Sequence, residues 1–183
     1  ETLADMQRNL PYHSKLTHGQ GIGADFALQA EMMLMRGDDI SAEILCHKAL
    51  YQARNKKETC ICLCVEQVFA WIAILRGDVD GFFTIIENIK GYAKENSDQY
   101  ILRMIDICLT AIGVALDTTD MVAKWLFDAE SIREKVYCRA VPYVNILYLY
   151  LLARENRYAE LLALVDSTIT MAKEMNYIIP LIY

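Results

Sequence analysis

Ala30-Glu31-Met32-Met33-Leu34-Met35-Arg36-Gly37-Asp38-Asp39-Ile40-Ser41-Ala42-Glu43-Ile44-Leu45-Cys46-His47-Lys48-Ala49-Leu50 is the stretch that decides the fold. After the turn, Ala42, Leu45, Cys46, Ala49, Leu50 and Ala53 fall at i, i+3, i+4, i+7, i+8 and i+11, one face of an α-helix. Arg36-Gly37-Asp38-Asp39 separates this helix from the apolar run before it. Gly suits the end of one helix, and Asp suits the cap of the next. The stretch therefore predicts a helix, a tight turn and a second helix folded back on the first.

The same break recurs along the chain. Arg76-Gly77-Asp78, Asp117-Thr118-Thr119-Asp120 and Arg154-Glu155-Asn156-Arg157 stand at corresponding places. With Gly37, Gly77, Asp117 and Asn156 as anchors, the spacings are 40, 40 and 39 residues, a period that signals helical pairs. Five, nine and twelve residues after each anchor come Ala42/Cys46/Ala49, Phe82/Ile86/Ile89, Val122/Leu126/Ala129 and Leu161/Val165/Thr168, apolar except for Thr168. Ile101, Met104, Ile105, Cys108 and Ile112 repeat the one-faced pattern, as do Tyr158, Leu161, Leu162, Val165, Ile169 and Ala172. A second set of breaks is expected at 54–58, 91–98, 137–142 and 176–177, with Pro142 suited to a first helical turn. The predicted fold is all-α, a right-handed α-α superhelix of four antiparallel pairs. A lead-in over 1–21 precedes repeats at about 22–56, 58–96, 98–138 and 141–176.

Composition agrees with helices. The 183 residues include eight glycines and three prolines, about 6%, half the usual ~12% share, and sandwiches spend those residues on turns. Hydrophobic residues reach 55% and charged ones 23%, so the chain is not disordered. A net charge of −6 argues against a nucleic-acid surface on this segment. No basic n-region with an apolar core opens the chain, and the run Val141–Ala153 is too short to span a bilayer. The expectation is a soluble, cytoplasmic segment of a larger protein, because the chain opens at Glu1 and closes on apolar Ile178-Ile179-Pro180-Leu181-Ile182-Tyr183.

Catalytic and metal signatures are weak. Cys60-x-Cys62-x-Cys64 clusters three of the six cysteines, yet Cys62 points about 200° away from Cys60 on a helix. No second ligand pair follows at zinc spacing, so reduced core thiols outweigh a redox or metal site. His13, His18 and His47 suggest no triad, and His47-Lys48 reads as a solvated face. Both Arg-Gly-Asp tripeptides occupy equivalent turns, which favours capping over adhesion. Arg54, Lys56 and Lys57, offset by Glu58, read as a solvated loop.

Gly37-x₄-Ala42-x₃-Cys46-x₂-Ala49-Leu50, with small Ala30 seven residues before the glycine, resembles a tetratricopeptide repeat. Repeat two keeps Ala70 and Gly77 but has Phe82 and Ile89 in place of the alanines; repeat three keeps Thr110 and Ala129; repeat four diverges most. The period exceeds the ~34-residue tetratricopeptide repeat by about a turn and a half. This long form, with the lead-in Leu10-Pro11-Tyr12-His13, resembles the repeat region of MalT-like, ATP-dependent LuxR-type bacterial transcriptional regulators. The resemblance implies a non-enzymatic sensor region that receives a small-molecule inducer or a regulatory protein or peptide. It implies no cofactor here, no membrane, and DNA and ATP contact only through other domains; it also admits homo-oligomers. Consistently, Gly19-x-Gly21-x-Gly23 lacks the Lys-Ser/Thr of a phosphate loop, and no basic recognition helix occurs. A protein scaffold without a regulatory effector is the rival reading.

In such superhelices the first helix of each pair lines the concave face. The positions there are Ala27 and Glu31, Gln67 and Trp71, Ile107 and Ala111, then Ile146 and Tyr150, with Tyr143 two turns before Tyr150. The candidate ligand- or partner-binding set is Glu31, Gln67, Trp71, Ile107, Tyr143, Ile146 and Tyr150, with Trp71 expected between Glu31 and Ala111. Trp and Tyr offer broad rigid area with a polar handle. The alternative is that Trp71 and Tyr150 pack between repeats.

Overall fold

The computed structural model describes residues 21–136 and 141–174, and the side chains of Arg133, Pro142 and Tyr143 fall outside that description. The described residues form eight α-helices and one 3₁₀ turn in a consecutive array, with no strand among them. They are α1 (Ala24–Met35), α2 (Asp39–Lys56), α3 (Thr59–Arg76), α4 (Val79–Glu95) and α5 (Gln99–Ala115), then the 3₁₀ turn Lys124–Phe127, α6 (Ala129–Lys135), α7 (Val141–Arg154) and α8 (Tyr158–Glu174). This is the all-α helical repeat array that the periodicity predicts.

All four sequence anchors adopt the left-handed conformation: Gly37 (φ 81°), Gly77 (φ 67°), Asp117 (φ 53°) and Asn156 (φ 59°). At each, two backbone bonds close the helix end in the same way. The anchor N–H donates to the carbonyl three residues back, and the following N–H donates five back: Gly37 to Leu34 and Asp38 to Met33, Gly77 to Ile74 and Asp78 to Ala73. Asp117 to Val114 and Thr118 to Gly113, then Asn156 to Ala153 and Arg157 to Leu152, complete the set. This is the Schellman closure, which satisfies carbonyls that a helix end otherwise orphans. Gly adopts the conformation freely and Asn and Asp tolerate it, so the anchors share a backbone need rather than a residue type. The next helices start on side-chain caps. Asp38 accepts the Ser41 N–H at 3.0 Å, Asp78 that of Gly81 at 3.0 Å and Asp128 that of Ser131 at 2.7 Å. Those bonds hold the Asp38 and Asp128 carboxyls below their usual range. The Arg-Gly-Asp tripeptides are thus a helix end followed by a cap. Arg76 also clasps Asp39 (2.6 Å) and Glu43 (2.8 Å) of the preceding repeat, as Arg154 pairs with Asp117.

The chain divides into two compact units, 1–108 and 109–183, with the boundary inside α5. In the first unit α1 packs on α2, α2 on α3 and α3 on α4, and α1 also touches α3. Its core joins Ala27, Ala30, Ala42, Cys46, Ala49 and Ala53 to Cys62, Val65, Val68 and Ile72. Alanines on the facing sides of α1 and α2 let their backbones approach closely. Ala49 is fully buried, so Ala49→Leu should overpack this seam and cost about 1–3 kcal/mol. Urea unfolding will check it; an unchanged midpoint would require a different helix register.

In the second unit α7 packs on α8, and α6 with the 3₁₀ turn packs on α7. Here the third repeat departs from expectation. Its second helix, expected through Val122, Leu126 and Ala129, is an irregular segment, the 3₁₀ turn and the short α6, which begins only at Ala129. Leu126 is still fully buried, and the Ala123 N–H donates to the buried Thr110 hydroxyl at 3.4 Å. The Asp128 cap starts a new helix where the pattern continued the old one.

Other expectations need correction. Gly91 does not break α4, which runs on to Glu95. The breaks at 137–140 and 176–177 lie outside the described residues. Thr168, the polar exception among the anchored positions, is buried because it accepts a 3.0 Å hydrogen bond from Asn145. Tyr158 and Leu162, assigned to the apolar face of α8, are instead 57% and 67% exposed. Finally, α3 is long and apolar enough to cross a membrane, which the focus on Val141–Ala153 overlooked. In this structure α2 and α4 flank it, and eight of its eighteen residues, the charged Glu66 among them, are buried.

Candidate functional site

The first helices of the repeats present two different faces, and α3 shows both. Cys60, Cys64, Gln67 and Trp71 follow one another at i, i+4, i+7 and i+11, and all four are half-buried. Cys62 and Glu66 lie on the other side and are buried.

On the first face, α1 contributes Glu31, which is exposed and carries no ion pair or hydrogen bond among the described residues. Protein around its carboxyl still limits hydration and raises its pKa. Glu31 lies close enough to Cys64 to push that thiol up; burial and Glu31 together raise Cys64 to about 11. Across α3, the Tyr100 hydroxyl of α5 is raised by burial and by Cys60 and Cys64, and 53% of Tyr100 is exposed. Cys108 of α5 is raised chiefly by burial and then by Cys64 and Cys60. Glu31, Cys60, Cys64, Tyr100 and Cys108 thus lie near enough to influence one another's ionisation, with Cys108 itself buried. Burial keeps the thiols protonated at neutral pH, and the thiolate is the nucleophile, so the arrangement activates none of them. No group of three or more His, Cys, Asp or Glu positioned for a metal ion occurs among the described residues.

The structure distributes the predicted site residues unevenly. Glu31 is exposed, and Gln67 and Trp71 are half-buried on the α3 face. Ile107 is only 6% exposed, with Ala27 and Ala111 also buried, so these three pack rather than line an open surface. The neighbours of Trp71 expected from the repeat, Glu31 and Ala111, fall in different units, and only Glu31 shares the unit of Trp71. In the second unit Ile146 is half-buried and Tyr150 is 53% exposed. Tyr143 sits in α7, and its side chain lies outside the described residues, as do His13, His18 and Cys138 in full. Sequence reasoning missed Tyr100, whose register matches Cys60 one repeat earlier; both lie seventeen residues before their anchors. His47 and Lys48 are exposed as expected, though His47 rests on Phe69 (5.0 Å between ring centres) and the Lys48 ammonium stands 5.9 Å from the Phe26 ring centre.

The opposite face of α3 holds a buried polar cluster. Glu66 is 3% exposed, and the Arg54 guanidinium of α2 approaches its Oε1 only to 3.5 Å. That oxygen has no hydrogen-bond partner among the described residues. From α4, Asn88 hydrogen-bonds the carboxylate, and Tyr92 lies close to Cys62, Glu66 and Arg54, with its hydroxyl pushed up to about 12, first by burial. Burial also raises the Glu66 carboxyl, against the smaller pull of Asn88 and Arg54. A folded-state pKa above the unfolded one makes protonation favour the folded state. That contribution is complete below the unfolded carboxyl range and is lost as pH rises through the folded value. Glu66→Gln should therefore raise stability at neutral pH and flatten its decline between mildly acidic and neutral pH. Urea midpoints across that range will show it, and a loss of stability at neutral pH would mean that the Arg54 pair outweighs burial.

Scans against protein-family models, curated proteins and solved structures return no match to this chain.

Proposed function

We propose that this chain is a non-enzymatic binding region, a helical repeat array that receives a small-molecule inducer or a regulatory protein or peptide through the exposed side of its first helices. The observation that carries this reading is the α3 face, where Trp71 and Gln67 stay half-buried, together with the exposed carboxylate of Glu31 on α1, which forms no ion pair among the described residues. A tryptophan left partly uncovered is an unusual use of a face that packing could have closed. The resemblance to MalT-like LuxR-type regulators adds the setting: a cytoplasmic transcriptional regulator whose ATP and DNA contacts belong to other domains. Protonated thiols and the lack of a convergent acid–base pair on the described faces support a binding role over a catalytic one.

Trp71→Ala tests the reading in the full-length regulator. A half-buried Trp should cost less than the roughly 3–5 kcal/mol of a fully buried one, so the variant should fold. Effector-dependent transcription should then fall sharply, since a central aromatic anchor is worth about 2 kcal/mol or more of binding. A folded variant with full response would overturn the assignment of this face. Partner binding without any transcriptional effect would favour the scaffold.

A further inference from the structure

The outer side of α2 is an exposed apolar ridge. Along this one continuous helix, Ala42, Cys46, Ala49 and Ala53 are fully buried on the side that packs against α1 and α3. At about 100° per residue, Ile40, Ile44 and Tyr51 point directly away from that side, and each is more than half exposed. They recur at i, i+4 and i+11, a ridge about 16 Å long. Charge is segregated along the same helix. The carboxylates Asp38 (the cap), Asp39 and Glu43 stand at its start, and Lys48, Arg54, Lys56 and Lys57 follow from its midpoint on. The helix dipole accounts for charges at the two ends, but not for an apolar ridge between them. The helices packed on α2 add Asp25, Glu31 and Arg36 on α1, then Glu58, Glu66 and Arg76 on α3. Among the described residues, two of these ion-pair with α2. Arg76 holds Asp39 and Glu43, and the buried Glu66 lies 3.5 Å from one nitrogen of Arg54, whose side chain stays 59% exposed.

We propose that this ridge docks a second copy of the chain, α2 lying antiparallel on its twin about a two-fold axis between His47 and Lys48. Ile44 of each copy then packs on Tyr51 of the other. Glu43, His47 and Arg54 share one flank of the ridge, and an antiparallel two-fold sets like flank against like flank. Glu43 of each copy therefore comes within one helical turn of Arg54 of the other, twice over. A parallel pair would instead set Glu43 against Glu43 and Arg54 against Arg54. Copies of a chain with net charge −6 repel each other in general. On α2 four cations meet three carboxylates, so this is a side where a second copy approaches without that repulsion. An anionic lipid surface would meet carboxylates at the end where Ile40 and Ile44 sit. One helix crossing falls at the small end of interface sizes, so the dimer forms reversibly at micromolar concentration. The contact uses the second helix of a pair and is independent of the first-helix binding reading above.

Sedimentation of the 183-residue chain should show monomer and dimer in exchange across the micromolar range. Ile44→Ser with Tyr51→Ser should raise the dissociation constant at least about tenfold. Both side chains are exposed, so the urea midpoint should stay where it is. Val79→Ser with Phe83→Ser removes comparably exposed apolar residues from α4 and should leave the dimer intact, which controls for general stickiness. Oxidation reads the orientation. His47→Cys, exposed beside the axis, should give a disulfide-linked dimer above the background of the unsubstituted chain. Asn55→Cys, also exposed, should not, because its two copies lie about 22 Å apart along the antiparallel pair. Equal weakening by the α4 substitutions would overturn the ridge as the docking surface. Cross-linking through Asn55→Cys as readily as through His47→Cys would overturn the antiparallel arrangement. Monomer at every concentration would overturn the second copy; retention of that monomer on phosphatidylserine vesicles through Ile44 and Tyr51 would give the ridge to a lipid surface instead.

Discussion

Leu63→Ala should lower the unfolding free energy of the first unit by about 2–5 kcal/mol. Leu63 is fully buried near the start of α3, the helix that α1, α2 and α4 all touch. Removing three carbons there loses their transfer free energy and leaves a cavity in a site with no exposed surface. The cost should approach the upper end of the range, because neighbours in an array such as this contribute to one another's stability. Trp71 lies in the same unit and Trp125 in the other, which makes the location of the damage readable. In a Trp125→Phe background, urea unfolding followed through Trp71 should shift to clearly lower denaturant. A shift smaller than that of Ala49→Leu would mean that the α3 core is softer than its burial implies.

The repeat was legible because it is written in backbone requirements. Each anchor must leave the helix through a left-handed residue, and Gly37, Gly77, Asp117 and Asn156 are among the few residue types that do so at modest cost. Small Ala30, Ala70 and Thr110, seven residues before three of these anchors, are all fully buried, as close helix packing requires. The third repeat was misread because Val122, Leu126 and Ala129 keep the apolar spacing while the backbone between them does not. Thr118, Thr119 and Asp120 bond locally, with the Asp120 N–H donating to the Thr118 hydroxyl at 3.2 Å, and that competes with helix. Spacing reports which side chains are buried; it does not report whether one helix carries them.

The candidate site was legible only in part, for a related reason. Helical spacing set Cys60 and Cys64 on one side of α3 and Cys62 on the other, but reading the cysteines as core thiols kept them apart from Gln67 and Trp71, whose half-buried face they share. It could not say which of several equivalent positions remain open. Ile107 and Trp71 hold comparable places on α5 and α3, yet one is buried and the other half-open, because that depends on how neighbouring helices lean. Glu66 was invisible as a buried charge for the same reason. A glutamate in an apolar helix reads as a solvated edge until its neighbours are known.

Gly23→Ala should be as costly as the core deletion, through a different mechanism. Gly23 precedes α1 with φ at 95°, a left-handed conformation that costs an L-residue about 1–2 kcal/mol. A methyl group there would also stand 2.7 Å from the Ala49 carbonyl oxygen, with the Ala49 carbonyl carbon and Cα at 3.4 Å. All three atoms are backbone of α2, so no side chain can turn aside; α1 must move off α2. Forced displacement of a packed element costs about 1–3 kcal/mol more, for a total of about 2–5 kcal/mol. The change is one methyl group beside a fully buried alanine, so lost burial cannot be the cause. A double-mutant cycle with Ala49→Gly, which removes the alanine side chain but leaves the carbonyl in place, tells a backbone clash from a side-chain one. Gly23→Ala should cost nearly as much in the Ala49→Gly background, measured by urea unfolding. Full rescue by Ala49→Gly would instead show that the α1–α2 seam is set by the Ala49 side chain rather than by the meeting of two backbones.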